Sequence, residues 1–130
     1  MSRYKILVDS SIWIQYFKKG NLPILDRLIE ENLVCTNELI LTELLPILRK
    51  QQQPVAIDSL NSLDKIPLKI DWEVIREYQF INLKHGINRV GIPDLMILQQ
   101  IIDEKMTLYT LDKHFKLMND IYNFELFVKS

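Results

Sequence analysis

Residues 4–17, YKILVDSSIWIQYF, change character in the middle: an apolar run stops at an acid and two serines, and a new apolar period begins. Ile6, Leu7 and Val8, led by Tyr4, show no polar alternation, which is the pattern of a short strand covered on both faces by crossover helices. Ile12, Trp13, Tyr16 and Phe17 then recur at helical spacing, so residues 11–19 read as a helix with Gly20 as its stop. Asp9 stands between the two, at the carboxyl end of the strand. Two readings compete there. Asp and Ser are good helix N-caps, because their side-chain oxygens accept first-turn N–H groups. The crevice outside the carboxyl ends of the strands is also where open α/β sheets bind ligands.

Further along, Pro23 opens a second helix that runs through about Glu31, with Ile24, Leu25, Leu28 and Ile29 as its apolar stripe. Residues 33–36 form a second strand, and Asn37 caps a third helix that continues through Glu43 to Arg49, bent at Pro46. Ile40, Leu44, Ile47 and Leu48 set the core face of that helix and leave Glu43 beside the stripe rather than opposite it. Residues 51–65 read as a surface turn and a short helix, and IPLKI at 66–70 as a third strand made irregular by Pro67. Asp71 caps a helix from Trp72 to His85, and residues 86–91 form a loop. Pro93 lies in the first turn of a helix from Ile92 to about Lys105, with Asp94 in that turn, where the macrodipole favours negative charge. Residues 106–111 form a fourth strand, Asp112 opens a short helix through Met118, and FELFV at 124–128 forms a fifth strand. Strands alternating with helices over 130 residues imply one domain: a three-layer α/β/α fold around a mainly parallel five-stranded sheet.

Composition sets bounds on function. Hydrophobic residues at 48% and charged residues at 25% are ordinary for a globular chain with its own core. A net charge of −1 argues against a broad, sequence-independent grip on nucleic acid, so phosphate binding must come from local patches or bound cations. The single Cys35 has no partner for an internal disulfide and sits in an apolar run, as a buried thiol does in a reducing compartment. No signal peptide or membrane-spanning segment is visible, and the expected location is the cytoplasm, with no membrane partner.

On this element order the acids stop being independent. Asp9 follows strand one, Glu43 lies on the helix after strand two, Asp94 starts the helix before strand four, and Asp112 follows strand four. Carboxylates converging at one sheet end repel one another unless a cation neutralises them, and an oxygen-rich site suits Mg2+ or Mn2+. Such a site activates water and stabilises charge on a phosphoryl group, which is the chemistry of a phosphodiesterase.

Four motifs, VDSSIWI at 8–14, TELL at 42–45, GIPDLMI at 91–97 and TLDKHF at 110–115, in this order and at these positions, resemble the PIN-domain ribonucleases. The likeness covers essentially the whole chain and is greatest to the VapC-type toxins of toxin–antitoxin pairs. The resemblance implies that Asp9, Glu43, Asp94 and Asp112 are catalytic and bind metal, with Ser10 or Thr110 orienting ligands or substrate. It further implies metal-dependent cleavage of single-stranded RNA, a cognate antitoxin protein and a homodimer. One departure stands out: where some members carry a further acid two positions after the last one, this chain has His114. His114 has two functional readings, contact with an RNA phosphate or help in holding a second metal, but like His85 it reads first as an ordinary helix-terminal histidine; Lys84, Arg89, Lys113 and Lys116 are candidates to border the cleft and position phosphates, but read first as solvated surface. Trp13, Tyr16 and Phe17 are better suited to core or dimer packing than to stacking on bases. Two rivals are a phosphoacceptor receiver domain, which lacks its adjacent acids here, and a catalytically silent PIN-like binding module, for which four retained acids have no use.

Overall fold

The structure, a computed structural model, describes residues 5–20 and 22–127. The chain runs β1 (Ile6–Val8), α1 (Ser10–Lys19), α2 (Pro23–Glu30), β2 (Val34–Thr36), α3 (Glu38–Lys50), α4 (Pro54–Asn61), β3 (Asp64–Lys65), α5 (Trp72–Lys84), α6 (Ile92–Asp103), β4 (Thr107–Tyr109), α7 (Lys113–Tyr122) and β5 (Glu125–Leu126). Tyr4, Asn21 and Val128, which the sequence reading included in its strands and turn, lie outside the described residues.

The five strands form one sheet in the order β3-β2-β1-β4-β5, with every pairing parallel. β1 is central, with Leu7 opposite Cys35 on one side and Leu108 on the other, and all three residues are fully buried. From β1 the chain first steps outward to β2 and β3, then crosses back to β4 on the other side of β1 and on to β5. Right-handed crossovers in these two directions put α1–α4 on one face and α5–α7 on the other, giving the three layers. The reversal lies between β1 and β4. At such a switch point the crossovers diverge and leave a crevice at the carboxyl ends of the two strands.

Local chemistry accounts for most boundaries. Asn37 accepts the Ile40 N–H at 2.8 Å, capping α3, and Gly20 ends α1 at φ 69°, a left-handed conformation that glycine takes without steric cost. α3 runs through exposed Pro46 without ending there. α7 extends past the expected Met118 to Tyr122, where Asn123 adopts the left-handed capping conformation.

The third strand corrects the sequence reading. β3 occupies Asp64–Lys65, and residues 66–70 leave the sheet after one last bond from Ile66 N–H to Thr36 O at 2.9 Å. Pro67 has no N–H to donate, and two adjacent glutamines on α6 take over this segment. Gln100 Nε2 donates to the carbonyls of Ile66 and Pro67 at 3.1 and 3.2 Å, while Gln99 Nε2 donates to Lys69 O at 3.1 Å. Gln99 Oε1 accepts from Asp71 N, and Gln100 Oε1 accepts from Asn37 Nδ2 at 2.7 Å.

The aromatic group on α1 faces inward. Trp13 is 2% exposed, stacks on Phe17 at 5.7 Å and meets Tyr16 edge-on at 5.8 Å, and the Tyr16 hydroxyl bonds to Asp26 on α2. Leu25 and Leu28 are also interior. The surplus of apolar residues on the first two helices is therefore absorbed largely by the core.

Candidate functional site

Asp9 ends β1 and caps α1, so the two readings of this residue describe one geometry. Its Oδ1 accepts the Ser10 N–H at 2.8 Å, and its Oδ2 accepts two hydroxyls, Thr110 Oγ1 at 2.7 Å and Ser11 Oγ at 3.0 Å. Each hydroxyl in turn accepts a backbone N–H from the segment after β4: Asp112 N bonds to Thr110 Oγ1, and Leu111 N to Ser11 Oγ, both at 3.0 Å. β1 and β4 are thereby tied together at the crevice. Asp9 is 5% exposed, and its oxygens are nonetheless well supplied with donors.

The other three acids stand around it. Asp112 caps α7, accepting the His114 N–H at 2.9 Å through Oδ1. Asp94, in the first turn of α6, is half-buried; burial first, then the charges of Asp112, Asp9 and Glu43, push its carboxyl from 3.8 up to about 6, with His114 pulling the other way. Glu43 is the most open of the four. Partial burial, then the charge of Asp9, raise its carboxyl above the ordinary glutamate range, and hydrogen bonding from the Ser10 side chain opposes them. Asp94 thus lies within electrostatic reach of the other three acids named from the sequence, and Glu43 within reach of Asp9, at the carboxyl end of the sheet.

The tightest group differs from that quartet. Asp94, Asp112 and His114, all partly buried, each present a ligand atom within 4.8 Å of the other two. Two carboxylates and an imidazole at that spacing suit a divalent cation, which would also relieve the repulsion on Asp94. Sequence reasoning weighed His114 as a metal holder but ranked that below a helix-terminal role, and it overlooked Ser11. The signals were present: His114 lies two positions after Asp112, and Ser11 two after Asp9. His85, by contrast, is exposed at the end of α5, with Nδ1 2.9 Å from its own helix's Ile81 O.

Lys84, Arg89, Lys113 and Lys116 are all exposed. Lys116 lines a cavity of about 370 Å³ with Thr110, Leu111, Tyr109 and Phe127. A second cavity, about 340 Å³, lies between α1 and α3 and is lined by Ile14, Phe17, Leu44, Ile47 and Leu48. Ile14 and Ile47 leave nearly half their surface in solvent there.

Residues 6–121 match the family model of the PIN domain. The chain belongs to the PIN-domain family. No curated protein matches the sequence. Among solved structures, this PIN domain is similar to a chain of a DNA-bound VapBC complex from Salmonella typhimurium, at 16% identity, 96% of this chain, 98% of that one and TM-score 0.77. It is also similar to a chain of VapBC2 from Rickettsia felis bound to a promoter DNA fragment, at 20% identity, 96% and 98% coverage and TM-score 0.76. A third likeness is to VapBC-1 from nontypeable Haemophilus influenzae, at 17% identity, 94% and 96% coverage and TM-score 0.72. At these identities the likeness is one of fold. PIN domains are typically nucleases that use divalent metal, and the acidic centre of this member agrees with that chemistry.

Proposed function

We propose that this PIN domain is a metal-dependent endoribonuclease that cleaves single-stranded RNA and acts as a VapC-like toxin, restrained in the cytoplasm by a cognate antitoxin. The observation that carries the reading is geometric: Asp94, Asp112 and His114 each present a ligand atom within 4.8 Å of the other two, and the burial and neighbouring carboxylate charges that raise the Asp94 carboxyl agree with a site for a divalent cation. Asp9, Glu43, Asp94 and Asp112 are the residues proposed to hold Mg2+ or Mn2+ and to act in catalysis. When bound, the ion supplies a Lewis acid for a phosphoryl oxygen and lowers the pKa of water.

The chain's own groups do the positioning. Thr110 and Ser11 fix Asp9 Oδ2, and Asp9 Oδ1, with a single N–H donor among the described residues, keeps spare acceptor capacity. Ser10 is proposed to steady Glu43. Exposed Arg89, Lys113 and Lys116 are suited to backbone phosphates, which position the strand without reading its sequence.

The VapBC likenesses support an antitoxin partner. The groove between α1 and α3 fits the apolar face of an amphipathic segment, and an Arg or Lys of that partner would enter the acidic cleft in place of metal. A homodimer is part of the same reading. Since Trp13, Leu25 and Leu28 are interior, its contacts must come from other side chains, and Trp72, Phe80 and Leu83, each more than half exposed on α5, are available.

The test is sequencing of RNA fragments after brief expression of the protein and of Asp94→Asn, alongside cleavage by the purified proteins with Mg2+ or Mn2+. Cuts made only by the parent protein are expected. Equal cutting by both would refute the site, and metal binding without cutting of any RNA would favour a silent binding module. Sedimentation showing only a 15.5 kDa species at micromolar concentration would refute the dimer.

A further inference from the structure

His114 is the residue of the acidic centre whose chemistry the nuclease reading leaves unused. Its backbone N–H is bound to Asp112 Oδ1 at 2.9 Å, and fully buried Phe115 anchors the next position, so the start of α7 fixes where the ring sits. The ring is partly buried beside the cluster, while its neighbours Lys113 and Lys116 are exposed. His114 Nδ1 lies 3.4 Å from Asp112 Oδ1, outside the roughly 2.7–3.2 Å range of a good hydrogen bond, so the imidazole is not committed to that carboxylate. Asp112 Oδ1 already carries the backbone bond, and Oδ2 has no hydrogen-bond partner among the described residues. One ring nitrogen of His114, one carboxylate oxygen of Asp112 and one of Asp94 lie within 4.8 Å of one another.

We propose that His114 is a direct ligand of this metal centre and that its nitrogen biases the centre toward a first-row transition ion, Mn2+ in preference to Mg2+. The argument is one of donor type. Mg2+ holds its oxygen shell tightly and gains little from an imidazole, whereas first-row divalent ions from Mn2+ onward accept nitrogen and oxygen together. A carboxylate at residue 114 would make the trio all-oxygen and remove the distinction. As a ligand, the imidazole also adds a donor without adding a further negative charge to those around Asp94.

The inference rests on the metal-dependent reading above, and the experiment separates the two. Mn2+ and Mg2+ are titrated calorimetrically into the full chain, His114→Asp and His114→Asn, and the Mn2+-loaded proteins are examined by pulsed electron paramagnetic resonance for ¹⁴N modulation from a coordinated imidazole. The parent protein is expected to show that modulation and to prefer Mn2+, and both variants to lose the modulation. In His114→Asp the preference should fall by about tenfold or more, with Mg2+ affinity held or raised. His114→Asn keeps a polar side chain on α7 and serves if the acid variant folds poorly. A parent that binds Mn2+ without ¹⁴N modulation, or variants that keep its preference, would overturn the role of His114 and leave the nuclease reading standing. Failure of the parent to bind either ion would overturn both.

Discussion

Asp94→Asn should make the metal-free protein more stable, although it removes a charge from a favourable position. Asp94 lies in the first turn of α6, where the helix dipole rewards an acid by about 0.3–1 kcal/mol. Against this stand burial and the three neighbouring carboxylates, which lift its carboxyl from 3.8 to about 6. At about 1.4 kcal/mol per pH unit, the full rise is worth about 3 kcal/mol. Solvent reaches the half-buried side chain, and screening reduces this to about 1–2 kcal/mol. Repulsion and burial outweigh the dipole, and the neutral isostere should gain about 1 kcal/mol at pH 7.5, a rise in Tm of roughly 3 °C for a chain of this size. The sign depends on pH. The folded-state carboxyl lies above its unfolded value, so the stability it contributes is fully present below about pH 3.8 and is lost as pH rises through about 6. The advantage of Asn should therefore shrink at pH 4.5. Thermal melts in EDTA at the two pH values measure it, and melts in millimolar Mn2+ should reverse the order, because only the parent gains binding energy. An Asn variant that melts lower than the parent at pH 7.5 without metal would show that Asp94 is a net stabilising helix acid, and the electrostatic account of the cluster would be wrong.

Three further outcomes are expected. Thr110→Val removes both the donor to Asp9 Oδ2 and the acceptor for Asp112 N, so it should cost about 1–3 kcal/mol in denaturant unfolding and most of the RNA cleavage, with Thr110→Ser restoring much of each. Gln100→Leu leaves Asn37 Nδ2 and the carbonyls of Ile66 and Pro67 without partners; a loss of about 2–4 kcal/mol, and faster amide exchange over residues 66–71, should follow. Tyr122→Phe deletes the hydroxyl that lies 2.8 Å from Asn82 Oδ1 and 2.9 Å from Tyr78 O, and urea unfolding should register about 1–2 kcal/mol.

The parts of this fold legible in the sequence are those fixed by near neighbours. The arrest of the apolar run at Asp9, the Asn37 cap and the apolar stripe of α3 are local patterns, and local patterns survive the absence of coordinates. Residues 66–70 were misread because what removes them from the sheet is a pair of amide side chains on α6, about thirty positions away. Propensity at Ile66 and Ile70 carries no trace of Gln99 and Gln100. Of the four acids proposed for the site, Asp9, Asp94 and Asp112 stand at a strand end or at a helix start, places that sequence marks, and Glu43 stands out as an acid beside an apolar stripe. Ser11 was harder to weigh, since its bonds come from the closure of β1 against β4, which brings position 11 to position 111, and spacing alone does not rank His114 above a helix-terminal histidine. The interior fate of Trp13 and Leu25 was hidden for a related reason: periodicity gives the apolar face of a helix but not whether α2 and α4 cover it.

The short outer strands have a consequence for how this protein meets others. β3 contributes two exposed residues, Asp64 and Lys65, before the α6 glutamines draw the chain away, and Asp64 is itself paired with Lys5 at 2.8 Å. On the opposite side β5 has two residues. Among the described residues, a strand from another molecule finds little continuous ladder of N–H and C=O groups at either rim, and the charges on β3 discourage it further. Growth of the sheet across molecules, the usual route to uncontrolled aggregation, is disfavoured there, and association is directed to the helical faces, where side chains can choose the partner.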